Sequence, residues 1–280
     1  MIEDIGLSLW DFIFNSIMWN SSAFLVKVTA EMKEKDESLK NAEVGQWITK
    51  GNVTEQAILN FFMKEFGGQA CVDHKKQLED VQEDIIAFTS ARKKASVIVK
   101  IDGGYRIYTK GGPDFLGAAV TKIIGVDGKT YEIDDEVPAD EGLGEVNTGR
   151  DILKRTVEIY AKQALRTILM AYRDFSEEDY EAIKADNNNF ETEEDREALE
   201  QELTAVGIWG IQDPLRDGIA DAITKCRIAG IKVIMCTGDN LDTAIAISKN
   251  AGIVTSEEAE GENANYTCTT GADFRTKVGE

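Results

Sequence analysis

The sequence predicts an α+β fold, an antiparallel sheet flanked by helices, joined to part of a doubly wound α/β domain. Three observations predict it. Two hairpin signals stand in the middle of the chain, where strand-like runs at 95–101 and 105–109 flank Asp102-Gly103-Gly104, and runs at 123–126 and 130–133 flank Asp127-Gly128-Lys129. Segments with apolar residues at helical spacing lie on both sides of these hairpins. Beyond about residue 201 the texture changes to apolar run, helical stripe, apolar run, helical stripe, the pattern of a βαβα unit with parallel strands.

The elements follow in order. A first helical block covers 7–30, and a charged stretch covers 31–40. A second helix begins near Thr54, with Ile58, Phe62 and Phe66 on one face. Glu55 falls in its first turn, where a carboxylate suits the helix dipole; that role alone would account for it. Residues 85–88 read as a short strand preceding the hairpins. Next comes a helix with Leu153, Val157, Tyr160, Ala161 and Ala164 on one face, then a strand at 167–172. Ser176, with Asp179 three residues on, caps a further acidic helix. The continuous apolar run 205–211 marks a strand covered on both faces. Ile219, Ala222, Ile223 and Cys226 form a helical stripe ending at Gly230; 232–236 is a second apolar strand, and 241–251 a helix ending at Gly252. Two domains are expected, 1–200 and 201–280. Residues 255–280 are polar and weakly periodic.

Composition excludes several classes. The formal net charge of −20 disfavours nucleic acid and anionic membrane surfaces. No stretch approaches the ~20 apolar residues of a membrane span, so this piece is expected to be soluble. A polyanionic ligand would need a local basic island. Much of the negative excess lies in 177–202, with twelve acidic residues against Lys184 and Arg196, and the run reads as a solvated helix and loop. Cys71, Cys226, Cys236 and Cys268 form no C-x-x-C pair, and with the lone His74 they build no zinc site, so no metal ligands are assigned.

The sharpest local signal is Thr237-Gly238-Asp239-Asn240, between an expected parallel strand and its helix. Doubly wound folds bind ligands at such carboxyl ends, and helix-start N–H groups favour an anion. Alone, these four residues read better as a turn with an N-cap. Their company changes that reading. Asp213-Pro214-Leu215-Arg216, an amphipathic helix, Ala229-Gly230-Ile231-Lys232-Val233 and then Thr237-Gly238-Asp239-Asn240 resemble the hinge and phosphorylation-domain motifs of P-type ATPases. Upstream, Lys110-Gly111-Gly112-Pro113-Asp114 resembles K-G-A-x-E, and Phe88 through Ser96 resembles F-x-S-x-R-K-x-M-S. Gly51-Asn52-Val53-Thr54-Glu55 resembles G-N-x-T-E. Leu165-Arg166-Thr167 through Ala171-Tyr172-Arg173-Asp174-Phe175 resembles L-R-T…A-Y-R-D-F, wording typical of plasma-membrane calcium pumps. The resemblance covers about 7–255.

The resemblance implies a nucleotide-binding domain over 1–200 and part of a haloacid-dehalogenase-like phosphorylation domain over 201–280. It implies that Phe88 stacks on the adenine of ATP and that Glu55 accepts from its amino group. Lys110 would line the pocket, partly solvated at a strand end, with Lys93 and Arg166 facing the phosphates. Asp213, Pro214 and Arg216 would form the hinge. Thr237, Gly238 and Asp239 would meet the γ-phosphate during phosphoryl transfer to an aspartate. Gly112 and Asp114 depart mildly from the usual alanine and glutamate.

D-K-T-G-T and the later G-D-G-x-N-D segment are absent, so the phosphorylated aspartate and the Mg²⁺ ligands are expected outside this chain. The expectation is therefore an ATP-binding piece, inactive alone, on the cytosolic face of an integral membrane pump. Its partners would be the pump's phosphorylation, actuator and membrane domains. A pump for another cation, or a haloacid-dehalogenase-type phosphohydrolase, is the alternative. The latter needs a D-x-D nucleophile on an earlier parallel strand, and Asp134-Asp135 has neither the spacing nor the strand. A non-catalytic interaction module finds support only in the acidic run.

Overall fold

The computed structural model describes residues 7–212, 215–261 and 264–279. Seven of its helices matter here: α1 Leu7–Trp19, α2 Val53–Phe66, α3 Gly68–Lys76, α4 Gly149–Lys162, α5 Glu177–Asp186, α6 Ile219–Ile228 and α7 Leu241–Ala251. The strands are β1 Phe24–Lys27, β2 Trp47–Lys50, β3 Gln82–Ile86, β4 Lys94–Ile101, β5 Gly104–Gly111, β6 Val120–Ile124, β7 Thr130–Glu132, β8 Leu165–Ser176 and β9 Leu203–Gln212. One compact unit comprises the residues up to Ile152 together with Ile168–Ile208. Leu153–Thr167 with Trp209–Glu280 make a second.

β1 and β2 pair as a separate antiparallel ribbon. The other strands form one seven-stranded sheet in the order β3-β4-β5-β8-β9-β6-β7. The β4–β5 hairpin turns at Asp102-Gly103 as the spacing predicts, with Gly103 at φ +80°, where a side chain would be strained. The second hairpin, β6–β7, also forms. Val97, Val99, Tyr108 and Leu78 are buried as a cluster, and α1 covers it: Phe12 meets Tyr108 and Tyr172 with ring centroids 5.3 and 4.5 Å apart. Arg106 lies over the rings of Phe12, Tyr108 and Tyr172 and grips Asp174 with two hydrogen bonds of 2.5 and 2.7 Å.

The structure corrects four expectations. The first helix ends at Trp19 instead of continuing to residue 30, because Asn20 turns into the sheet. Its side-chain amide donates to the carbonyls of Ala95 and Tyr108 at 2.9 and 3.0 Å, and the chain then extends into β1. The sheet is mixed and not purely antiparallel, since β9 pairs in parallel with β6. That strand, read as the opening of a doubly wound domain, stands inside the seven-stranded sheet. A continuous apolar run reports cover on both faces but not which sheet provides it.

The third correction concerns 232–236, which adopts no strand, so the βαβα unit does not form. Among the described residues no strand pairs with this segment, and an unpaired strand leaves its N–H and C=O groups without a ladder. α6 and α7 on either side do form. Finally, the acidic run is not solvated throughout. α5 is capped by Ser176, whose hydroxyl accepts from the Asp179 amide at 3.0 Å. The far end of the run folds back onto β4, where Glu200 is completely buried.

Candidate functional site

The site begins with Gly51, at φ +106°, whose ideal Cβ position lies 2.9 Å from the Ala23 Cα. Only glycine lets the chain pass so close to the 20–23 loop. Asn52 then caps α2, accepting from the amides of Thr54 and Glu55 at 3.0 and 3.2 Å. The Glu55 carboxylate therefore projects from the first turn into that loop. Its Oε2 accepts from the Ser22 amide (2.7 Å), the Ser22 hydroxyl (2.6 Å) and the Ala23 amide (3.0 Å). Its Oε1 pairs with the Lys110 ammonium.

Lys110, near the end of β5, is 8% exposed, which corrects the expectation of a partly solvated strand-end lysine. Its Nζ donates to the backbone carbonyl of Asn20 as well as pairing with Glu55. Nearby, Lys75 at the end of α3 donates to the carbonyls of Ser21 and Ala23 at 2.6 and 3.1 Å. Two ammonium groups and one carboxylate thus gather on one loop. Burial pushes Lys110 below the usual lysine range, opposed by Glu55. Burial and the Lys110 charge lower Lys75, again opposed by Glu55. Burial alone would raise Glu55, but the Lys110 charge and hydrogen bond, with those of Ser22 and Ala23, outweigh it and hold the carboxyl low. Glu55 and Lys110 share the lining of a small cavity with Ile17, Ser21, Ile58, Leu59 and Met170.

Phe88 lies past the end of β3, on the loop to β4, and is 56% exposed. An aromatic ring so placed is not a core residue, and it stands outside the strand, which ends at Ile86 and not at residue 88 as the sequence suggests. The loop is ordered by its backbone: the Lys93 amide donates to the Thr89 carbonyl (2.9 Å), and the Arg92 amide to the Thr89 hydroxyl (3.1 Å). Lys93, at φ +56°, receives the Gly112 amide on its carbonyl at 3.2 Å. A Cβ at Gly111 would stand 2.8 Å from that carbonyl oxygen. The first glycine after Lys110 thus allows the Phe88–Lys93 loop to lie against the end of β5.

Arg166 belongs to the second unit, as do Thr237, Gly238 and Asp239. Its Nε lies 3.7 Å from Asp239 Oδ1. The Thr237 hydroxyl donates to Asp239 Oδ2 (2.9 Å) and accepts from the Asp239 amide (3.2 Å), while Asn240 caps α7 through the Thr243 amide at 2.9 Å. The loop before α7 is thereby shaped without a strand feeding it, and nothing approaches the Gly238 Cβ position within 4 Å. Of the hinge residues, Asp213 and Pro214 lie outside the described residues, and Arg216 is exposed.

A wider depression of about 700 Å³, lined by Thr121, Lys122, Tyr172, Arg173 and Glu202 among others, contains none of the candidate residues. Its charges are closed into pairs, Arg173 with Glu202 at 2.7 Å and Lys122 with Glu132 at 3.5 Å. Size does not make it the functional site.

Sequence reasoning missed Asn20, Ser22 and Lys75. Asn20-Ser21-Ser22, a polar triplet directly after an apolar helix, was a readable sign of a cap or loop. For Lys75 no pattern existed, since one lysine in a charged helix resembles any other.

The family model described as "P-type ATPase, cytoplasmic domain N" matches residues 11–218. The chain belongs to the P-type ATPase family. It is 32% identical over 263 residues to calcium-transporting ATPase 2 of Cryptococcus neoformans var. grubii, covering 91% of this chain and 16% of that protein. It is 33% identical to plasma membrane calcium-transporting ATPase 3 of Rattus norvegicus, covering 81% of this chain and 16% of the relative. The plasma-membrane-type calcium-transporting ATPase 3 of Oryza sativa subsp. japonica is also 33% identical, with coverages of 84% and 19%. This P-type ATPase chain thus spans less than a fifth of the length of these curated relatives. No helix among its described residues is long and apolar enough to cross a membrane.

Proposed function

We propose that this chain is the ATP-binding cytosolic part of a P-type cation pump of the plasma-membrane calcium type. The observation that carries the reading is the exposed Phe88 ring on a loop laid against the Lys110-Gly111-Gly112 strand end. In this reading adenine stacks on Phe88, and Lys93 meets the phosphates from the same loop. Glu55 and Lys110 form the polar floor, Glu55 accepting from the adenine amino group. By the family resemblance Arg166 is a further candidate cation for the phosphates.

In the whole pump, ATP held here is delivered to an aspartate outside this chain. Asp213, Pro214 and Arg216 supply the hinge, and Thr237, Gly238 and Asp239 meet the γ-phosphate. The finer reading places 201–280 in a haloacid-dehalogenase-like phosphorylation domain. Ile231 and Ile234, 58% and 78% exposed, are apolar positions that such a sheet would cover. The pump's phosphorylation, actuator and membrane domains are the partners, on the cytosolic side of the membrane. Mg²⁺ serves phosphoryl transfer in the whole pump. Among the described residues no cluster of three or more His, Cys, Asp and Glu side chains fits a metal ion.

Calorimetric titration with AMP, ADP and ATP, with and without Mg²⁺, tests the reading. The three nucleotides are expected to bind within a narrow range and without need of Mg²⁺, since the base makes most contacts and solvated cations add about 1 kcal/mol. Phosphate release is expected to be nil. No binding, a strict Mg²⁺ requirement, or steady hydrolysis abolished by Asp239→Asn would overturn it.

A further inference from the structure

Three successive residues of the nucleotide loop are basic, and the structure treats them differently. Arg92 and Lys94 turn away from the loop's outer side toward Glu200, which lies beyond the acidic helix and is 0% exposed. Arg92 Nη2 donates to both oxygens of that carboxylate, at 2.6 and 2.5 Å, and Lys94 Nζ stands 2.6 Å from Oε2. The Ser96 hydroxyl, on β4, donates to Oε1 at 2.5 Å. Glu197 adds a second carboxylate 2.7 Å from Arg92 Nε, an ionic contact to which the N–H is not directed. The same Arg92 donates through Nη1 to the carbonyl of Ala87 at 2.8 Å, directly before Phe88. Between these anchors stands Lys93, in the left-handed region and without an ion-pair partner among the described residues.

We propose that Glu200 is a positioning residue for nucleotide binding. By neutralising Arg92 and Lys94 from below, it closes the 87–93 loop on Ala87 and leaves the exposed Phe88 and the half-buried Lys93 as the two ligand-bearing side chains. A buried carboxylate with two cations and a hydroxyl is fully satisfied, and removing it leaves Arg92 and Lys94 only the half-buried Glu197 carboxylate, 2.7 and 3.7 Å away. Without it the two neighbours compete with Lys93 for solvent and anions, and the Ala87 carbonyl loses its fixed donor. Glu200 touches no nucleotide; it acts through Arg92. This inference rests on the Phe88–Lys93 reading of the site.

Glu200→Gln in the full chain tests it, with two readouts: amide hydrogen exchange of 87–93 and titration with AMP and ATP. Exchange of 87–93 is expected to accelerate, with α2 and β5 unchanged. AMP and ATP are both expected to bind about tenfold more weakly. Phe88→Ala added to Glu200→Gln is expected to weaken binding much less than it does alone. Should Glu200→Gln fail to fold, Arg92→Lys carries the same comparison, because lysine keeps the charge but cannot reach Glu200 and Ala87 together. A faster-exchanging loop in a protein whose wild type binds no nucleotide overturns the site reading and supports the role of Glu200 in the loop. Unchanged exchange, or a loosened loop with unchanged nucleotide affinity, overturns the inference.

Discussion

Glu55 and Lys110 are paired but not equally dependent on one another. Without Lys110, the carboxylate keeps the Ser22 amide, the Ser22 hydroxyl and the Ala23 amide as donors. Without Glu55, two ammonium groups, Lys110 and Lys75, stay on the same loop with only backbone carbonyls to accept from them.

The first expected outcome follows from that asymmetry. Glu55→Gln should destabilise the chain by about 3–5 kcal/mol, as for a buried charge left without its partner. Lys110→Met, which keeps the apolar stem, should cost about 1–3 kcal/mol. Urea midpoints of the two variants decide it; equal losses, or a larger loss for Lys110→Met, would show that the backbone donors do not hold the carboxylate.

Acid stability should depend on the same group. The folded carboxyl of Glu55 titrates below its ordinary 4.5, so the unfolded chain binds the proton first on acidification. The stability it contributes is complete above about pH 4.5 and is lost as pH falls through the folded value. Lys110 and Lys75 are lowered from 10.5, so the unfolded chain also binds more protons below that value, and stability should rise as pH climbs toward it. Urea unfolding between pH 3 and 10 (roughly the span of these groups) should show a shallower acid limb in Glu55→Gln than in wild type.

Phe88→Ala should separate binding from folding. With the ring 56% exposed, its removal should change stability by less than about 1 kcal/mol. Loss of a base-stacking face should weaken nucleotide binding by about 1–3 kcal/mol. Melting curves and AMP titration on one preparation check both. A drop of several degrees with unchanged affinity would return Phe88 to a structural role.

Gly111→Ala should act at a distance from any ligand contact. The added methyl would meet the Lys93 carbonyl at 2.8 Å and the Lys94 Cβ at 2.9 Å, neither being the end of a flexible side chain. The Phe88–Lys93 loop should be pushed off the end of β5, costing about 1–3 kcal/mol and weakening AMP binding. Gly112→Ala, whose methyl would meet the Phe115 ring edge at 3.3 Å, should be better tolerated. Thermal melts of the two variants side by side are the check.

What could be read from the sequence was local. The Asp102-Gly103-Gly104 turn set the first hairpin, Asn52 through Glu55 set the start of α2, and the stripe at 241–251 set α7, because each depends on contacts a few residues apart. Ordered motifs brought the candidate residues together with no geometry at all. Tertiary structure alone decided the rest. Whether 203–212 opened a new sheet or closed the first was a question of which strand lay beside it, and β6 answered it. Lys110 looked like a solvated strand end until Asn20 and Glu55 closed over it. Glu200 looked like one more surface acid in a negative run until the chain carried it back to Arg92. Charge and hydrophobicity along a chain prescribe turns, caps and faces. They do not say which distant partner will make a buried ion tolerable, because that depends on desolvation and hydrogen bonding that exist only once the chain has closed on itself.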